Sequence, residues 1–308
     1  MEAVRKEEGA PAAAAALEAL GKGLGPQTPP DLRGPIARLL ADTILGKLPC
    51  QKDESEEEEA LLVLAGDGLV ALQVGEGLLR ELLPVLLDGL RPCRAVGRRC
   101  WSSGLLALLC PTLGGLEGLR VGPALGGALR DTEPSVRANA LCAVGRLPLW
   151  APGRALVLRA LCEEEPGRVR DNACAALVRN WEHWESPEAL GLLLRALPIS
   201  EDLEEESPVL EGLLRLHRGR PRALWPHAAE LPRACANAVG SDRLSPELRE
   251  ALLALLREVW GRLPHGVPGG APPPAPRRGP APAPGPGGGG AVTLSPPHFR
   301  CDVTAAEQ

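Results

Sequence analysis

Apolar residues along much of the chain recur at the spacing of one face of an α-helix. In the segment 78–90, leucines fall at i, i+3, i+4, i+7, i+8 and i+11, which predicts a helix with one wide apolar face. They are Leu79, Leu82, Leu83, Leu86, Leu87 and Leu90. The segment 248–263 repeats the pattern through Leu252, Leu255, Leu256, Val259 and Leu263. Three Ser-Pro pairs, at Ser186, Ser207 and Ser245, predict helix starts, because serine caps free amides and proline has none to leave unpaired.

A short motif occurs at two of these helix starts. Val136–Ala140 recurs as Val169–Ala173, 33 positions later, and a weaker copy begins at Val96. In each case a Leu-rich helix and a turn precede the motif, so the repeating unit is a helical hairpin. One hairpin cannot bury its own apolar faces, but stacked hairpins can. We therefore expect an all-α solenoid of five to six hairpins between residues 10 and 263, with Val136 and Val169 in its core.

Composition divides the chain into three parts. Residues 1–30 form a poorly defined N-terminal helix or linker, residues 31–263 form the solenoid, and residues 264–308 form a Pro/Gly-rich tail predicted to be disordered. Residues 1–263 hold 31 basic and 37 acidic residues, a net charge of −6, which argues against nucleic acid as the ligand. The longest charge-free stretch before the tail, Cys100–Leu116, contains a proline and a Gly pair, so no membrane span is expected.

Several motifs resemble those of a known protein family. The turn and helix start around Val136 have the Asp-x-x-x-x-Val-Arg pattern of HEAT repeats. The segments Val136–Gly145, Arg168–Leu177 and Ala196–Glu205 resemble, in the same order, motifs near the C-terminus of importin-4-like receptors in the importin-β (karyopherin-β) family. An acidic run, Asp53–Glu59, precedes a helix as an acidic loop does in that family. The sequence departs from the pattern at Glu206, where the family usually has an apolar residue.

The resemblance implies a HEAT-repeat α-solenoid that binds protein cargo for nuclear import. The implied cargo is basic, of the histone or ribosomal-protein class, and the implied location is the cytoplasm and nucleus. Ran-GTP and nucleoporins are implied partners of the full-length receptor only, since their sites lie in N-terminal repeats that this chain does not match. We expect the chain to correspond to the C-terminal portion of such a receptor. A HEAT scaffold or regulatory subunit without a transport role is the alternative.

Three interhelix turns are acidic: Asp53–Glu59, Glu163–Glu165 and Glu201–Glu206. Acids of the first and third turns, together with polar residues at two helix starts, are the candidate cargo contacts. They are Asp53, Glu54, Glu56, Glu57, Glu58, Glu59, Asn139, Asp171, Asn172, Glu201, Asp202, Glu204, Glu205 and Glu206. Solvent-exposed acids on a curved surface would attract basic partners. Two other interpretations remain open: the acids are only solvated turns, and Arg137 and Arg170 form an Asp–Arg ladder that stiffens the stack.

No motif for catalysis or cofactor binding is found. The sequence lacks a nucleophile elbow, a P-loop, a dinucleotide-binding fingerprint and a His-Glu-x-x-His site. Its nine cysteines form no Cys-x-x-Cys pair and no zinc-type cluster with histidine, which predicts reduced thiols. A HEAT-repeat metalloenzyme would need paired His-Glu dyads, and none of the five histidines is followed by Glu. We therefore expect a binding protein without a metal or cofactor, not an enzyme.

Overall fold

The regular elements of the chain are helices. The computed structural model describes residues 9–51, 56–112, 115–147, 152–163 and 167–262, and every regular element in those ranges is helical. The helices are α1 (Ala10–Gly21), α2 (Pro30–Ile44), α3 (Glu56–Ala71), α4 (Glu76–Gly89), α5 (Val96–Leu109), α6 (Gly115–Ala128), α7 (Pro134–Val144), α8 (Pro152–Cys162), α9 (Gly167–Arg179), α10 (Trp181–Trp184), α11 (Pro187–Ala196), α12 (Glu206–Gly219), α13 (Pro221–Leu224), α14 (Leu231–Ala234), α15 (Ala236–Val239) and α16 (Pro246–Arg262). Short 3-10 turns lie at Cys110–Thr112, Leu203–Glu205 and Trp225–His227.

The helices stack in two layers. One layer runs through α2, α4, α6, α8, α11 and α14, each packing on the next. The other runs through α3, α5, α7, α9, α12 and α16 in the same way. Within the stack, α2 pairs with α3, α4 with α5, α6 with α7, and α8 with α9. Each hairpin contacts the hairpins before and after it in the sequence. The buried apolar side chains therefore form one continuous core between the two layers of helices, as expected for a solenoid.

The second layer is unusually close-packed at its centre. Every residue from 171 to 178 in α9 is buried, because α7, α8, α11 and α12 surround that helix. Small residues make the approach possible: a Cβ atom added to Gly145 would lie 2.7 Å from the Cα of Ala176. This explains the glycine at the end of the motif Val136–Gly145, since any side chain there would strike the backbone of α9.

The structure refines several boundaries. The helix α1 packs against α3 with Ala13 and Leu17 buried, so the stack extends into the segment expected to be poorly defined. Ser186 and Ser245 accept hydrogen bonds from the amides of Ala189 and Leu248, as predicted for caps. The cap predicted at Ser207 is wrong, because α12 begins at Glu206 and Ser207 lies inside it. The predicted tail, 264–308, lies outside the described residues.

The third copy of the repeat motif is displaced from the predicted position. Val136 and Val169 are the third residues of α7 and α9 and are 0% and 1% exposed, whereas Val96 is the first residue of α5 and 43% exposed. Aligning helices by their starts puts an arginine at the fourth residue of all three: Arg99, Arg137 and Arg170. The repeat is therefore marked by its arginine as well as by its valine.

Candidate protein-binding surface

The first acidic run continues into α3. Two of its acids lie outside the described residues and two are described by their backbone alone: Asp53 and Glu54, then Glu56 and Glu57. The next two, Glu58 and Glu59, are half-buried. The carboxylate of Glu59 lies against the first turn of α5, since a Cβ atom added to Gly97 would be 2.3 Å from Glu59 Oε2. The free amides of a helix start favour a negative charge, so Glu59 stabilises α5.

Asp171 holds the turn between α11 and α12. Its side chain is fully buried, and Oδ2 accepts hydrogen bonds from three successive backbone amides, those of Ser200 (3.0 Å), Glu201 (2.7 Å) and Asp202 (3.0 Å). Hydrogen bonds to a carboxylate are about twice as strong as neutral ones. The helix start of α9 and the acidic turn that follows α11 therefore bind each other across two successive hairpins.

Neighbouring side chains complete this contact, which we call the α9 lock. Asn172 donates to Asp202 Oδ2 at 2.7 Å, and Arg170 donates to Ser200 Oγ at 3.1 Å. In return, Glu201 Oε2 accepts from the backbone amide of Arg168 at 2.9 Å, which caps α9. Because Asp171 and Asn172 are 0% and 3% exposed, they are not at the open surface where the cargo hypothesis placed them.

The acids that follow in the same turn differ sharply in exposure. Glu204 is exposed, whereas Glu205 and Glu206 are 7% and 4% exposed, so the expectation that all three are solvated is wrong for two of them. Glu205 is held by an ion pair with Arg179. Glu206 Oε2 has no hydrogen-bond partner among the described residues, and burial raises the pKa of this carboxyl although Arg243 opposes the shift.

Asn139 also serves the stack. Its amide donates to the carbonyl of Cys100 in α5 at 3.0 Å. Asn180 does the same one hairpin later, donating to the carbonyl of Gly145 at 2.8 Å, and Arg146 donates to the carbonyl of Ala107. The last carbonyls of a helix lack intrahelical partners, so side chains from the next hairpin satisfy two of these helix ends. Asn139 is half-buried and committed to such an internal contact.

The structure shows a buried Asp–Arg pair at Arg99, one hairpin before the positions that the ladder interpretation named. Arg99 donates to both carboxylate oxygens of Asp131 in the turn before α7. Arg137 donates to the carbonyls of Asp131 and Thr132, and Arg170 to Ser200, as part of the α9 lock. Sequence reasoning missed Arg99 because it aligned the repeats on Val96. Counting positions from the first residue of each helix identifies Arg99, because it is the fourth residue of α5 as Arg137 and Arg170 are of α7 and α9.

Among the described residues, no group of three or more His, Cys, Asp or Glu side chains could hold a metal ion, and no described helix is long and apolar enough to cross a membrane. The eight described cysteines are free thiols. Burial raises the pKa of Cys110 and of Cys235 to about 12, so these thiols stay protonated at neutral pH.

Known proteins resemble this chain in both sequence and fold. No family model matches it. Importin-4 of Mus musculus is 30% identical over 292 residues, and importin-4 of Homo sapiens is 29% identical over 293 residues. Each alignment covers 83% of this chain but 27% of the importin, so the chain spans about a quarter of the length of these curated relatives.

A solved karyopherin shares the architecture. The crystal structure of Kap121p, bound to the extreme C-terminus of the protein phosphatase Cdc14p, matches with a TM-score of 0.60 at 15% identity. The match covers 85% of this chain and 26% of that one. It confirms the prediction of an all-α HEAT solenoid.

Proposed function

We propose that this chain, an importin-4-like HEAT solenoid of the importin-β type, is a protein-binding segment of a nuclear transport receptor. The observation that carries the proposal is the importin-4 alignment over 83% of the chain. The solved neighbour Kap121p supports the mode of binding, because it holds a terminal segment of another protein. A cargo receptor of this kind works in both cytoplasm and nucleus and needs no cofactor.

The distribution of charge favours basic cargo at the two ends of the solenoid. Residues 1–90 contain 8 basic and 16 acidic residues, and residues 171–263 contain 11 and 15. Within the second group, Glu204 and Glu211 are exposed on the turn and on the helix α12. They replace the buried acids of the α9 lock as the candidate contacts with cargo. Exposed pairs contribute only about 0–1 kcal/mol each, so many must act together.

Binding of a labelled Lys/Arg-rich peptide of histone-tail type, measured by fluorescence anisotropy across a salt series, tests this proposal. We expect weak binding that falls steeply with salt, because surface charges are screened beyond roughly 8–10 Å at physiological ionic strength. The double variant Glu204→Gln, Glu211→Gln should weaken it. The matched control is Glu182→Gln with Glu188→Gln, which removes two exposed acids from α10 and α11.

The outcomes separate the proposal from its rivals. If affinity falls in the Glu204→Gln, Glu211→Gln variant and not in the control variant, the result supports basic cargo bound at α12. Equal affinity for a peptide with Gln in place of Lys and Arg, or indifference to salt, would refute the electrostatic cargo site. Capture of phosphatase or kinase subunits alone, from a lysate that also contains histones, would favour the scaffold alternative.

A further inference from the structure

Two cavities lie side by side on one edge of the solenoid. This edge is formed by the turns that join the two helices of each hairpin. The larger, about 570 Å³, lies between the α4–α5 and α6–α7 hairpins. The smaller, about 270 Å³, lies between the α6–α7 and α8–α9 hairpins. Arg130 and Asp131 line both cavities, so the two form one continuous surface, which we call the turn edge.

The segment that contains the turn edge differs in net charge from the segments on either side of it. Residues 91–170 contain 12 basic and 6 acidic residues, a net charge of +6, between two segments that are both net acidic. Arginines line the cavities: Arg91, Arg99 and Arg130 in the larger, and Arg130, Arg137 and Arg159 in the smaller. The turn edge therefore lies in a net basic segment of a chain that is acidic overall.

The acid at the centre of this surface is already neutralised. Both oxygens of Asp131 are bound by Arg99, and Oδ1 also accepts from the backbone amide of Glu133 at 3.0 Å. Arg130, by contrast, makes no ion pair within the described part of the chain. Its one hydrogen bond there is long, with 3.4 Å between Nη1 and the carbonyl oxygen of Gly126. The guanidinium of Arg130 is thus the group most available to an incoming carboxylate.

Apolar side chains also line both cavities, beside Thr132 in the larger and Glu163 in the smaller. Leu87, Leu90 and Pro123 line the larger one, and Leu129, Leu156 and Ala160 line the smaller one. We propose that the turn edge binds a short acidic peptide segment whose aliphatic side chains enter the two cavities while a carboxylate between them pairs with Arg130. Packed helices lie about 8–10 Å apart. An extended chain covers that distance in about three residues, which sets the spacing of the aliphatic side chains.

Peptide fits this surface better than nucleic acid does. No aromatic side chain lines either cavity, so bases would have nothing to stack on. A single carboxylate, by contrast, can accept two parallel hydrogen bonds from one guanidinium group.

The test uses the whole chain and a labelled eight-residue peptide with leucines three positions apart and Glu or Asp elsewhere. Fluorescence anisotropy should show binding that Arg130→Gln weakens roughly tenfold or more, as expected for loss of a charged hydrogen-bonded pair. Arg222→Gln, which removes an exposed arginine from α13, is the matched control and should bind as the natural chain does. Helical circular dichroism checks that both variants fold.

Changes to the peptide test the proposal without altering the protein. Replacing Glu and Asp by Gln and Asn, or Leu by Ser, should abolish binding. Equal affinity of the amide peptide, unchanged affinity in Arg130→Gln, or displacement by single-stranded oligonucleotide as effective as by unlabelled peptide would overturn the proposal. The basic peptide of the previous section should bind Arg130→Gln no less tightly than the natural chain, so failure of one site is distinguishable from failure of the other.

Discussion

The guanidinium of Arg99 binds both carboxylate oxygens of Asp131, with Nε 2.7 Å from Oδ2 and Nη2 2.9 Å from Oδ1. The two side chains are 10% and 7% exposed, so this pair joins the start of α5 to the turn before α7 inside the stack. Burial alone would raise the pKa of Asp131, but the hydrogen bonds from Arg99 and from the Glu133 amide outweigh it. The pKa of Asp131 therefore lies below its ordinary value.

Removing one partner of this pair should be strongly destabilising. Arg99→Met leaves a buried carboxylate unpaired, and such changes cost about 3–5 kcal/mol. Urea denaturation followed by circular dichroism gives the free energy of unfolding. The control is Glu163→Gln, which breaks the exposed pair between Arg159 in α8 and Glu163 just after its end, and should cost at most about 0.5 kcal/mol.

The contribution of Asp131 should also depend on pH in a defined direction. Because its pKa is depressed by folding, the stabilisation is fully present above the unfolded pKa near 3.9 and is lost as the pH falls below that value. The difference between the natural chain and Asp131→Asn should thus be large at pH 7 and shrink below about pH 4. An equal difference at both pH values would mean that Asp131 acts by shape and not by charge.

Val136 and Val169 should contribute alike, because each is the third residue of a helix in the second layer and each is buried. Replacing either by alanine removes two buried methyl groups and should cost on the order of 1–2 kcal/mol. Aspartate at either position should prevent stable folding, since it would bury an unpaired charge. Val96→Asp is the control and should be tolerated because Val96 is 43% exposed. If Val136→Asp were as stable as the natural chain, Val136 would not be a core position of the repeat.

Gly145 tests the close approach of α7 and α9. A Cβ atom there would lie 2.7 Å from the Cα of Ala176, and backbone cannot move aside as a flexible side chain can. Gly145→Ala should lower the thermal midpoint clearly, with larger residues worse. Gly127→Ala in α6 meets nothing within 4 Å and should be neutral or stabilising by up to about 1 kcal/mol, the usual helical preference for alanine. Similar effects of the two substitutions would argue against tight packing between the helices.

The architecture could be predicted from the sequence because it depends on periodicity. Leucines at helical spacing and two copies of one motif 33 positions apart are enough to require stacked hairpins. The same motif identified Val136 and Val169, whose burial follows from their place in the repeat. The motif gave a wrong prediction at Val96. That valine is the first residue of its helix, whereas Val136 and Val169 are the third residues of theirs.

The polar residues could not be assigned in this way. Asp171 and Glu204 both lie beside interhelix turns in the sequence, yet one is fully buried and the other exposed. Which acid becomes internal depends on whether backbone amides from the next hairpin face it, and those amides are about 30 residues away. Charge patterning along the chain did contain a further signal, the basic segment 91–170, which a total over residues 1–263 conceals.

Glu206 departs from the receptor motif that the segment around it resembles, and the structure shows the consequence. The residue is 4% exposed at the first position of α12, with Oε2 unpartnered among the described residues. A negative charge at a helix start gains about 0.3–1 kcal/mol. An unsatisfied buried polar atom costs about 1–3 kcal/mol. Burial raises the pKa of Glu206, and the attraction of Arg243 offsets this only in part.

Replacing Glu206 should therefore stabilise the protein at neutral pH, with Glu206→Leu more stable than Glu206→Gln and both above the natural chain. Because folding raises the pKa of this carboxyl, its penalty is absent below the unfolded pKa of about 4.3 and grows as the pH rises through the folded value. Thermal midpoints at pH 7 and pH 4 measure this, and a solenoid of this size gains roughly 2–4 °C for each kcal/mol. Glu211→Gln, on the exposed side of the same helix, controls for the loss of one charge. A variant advantage that is absent at pH 7, or equally large at pH 4, would show that Glu206 is stabilised by a contact other than those described.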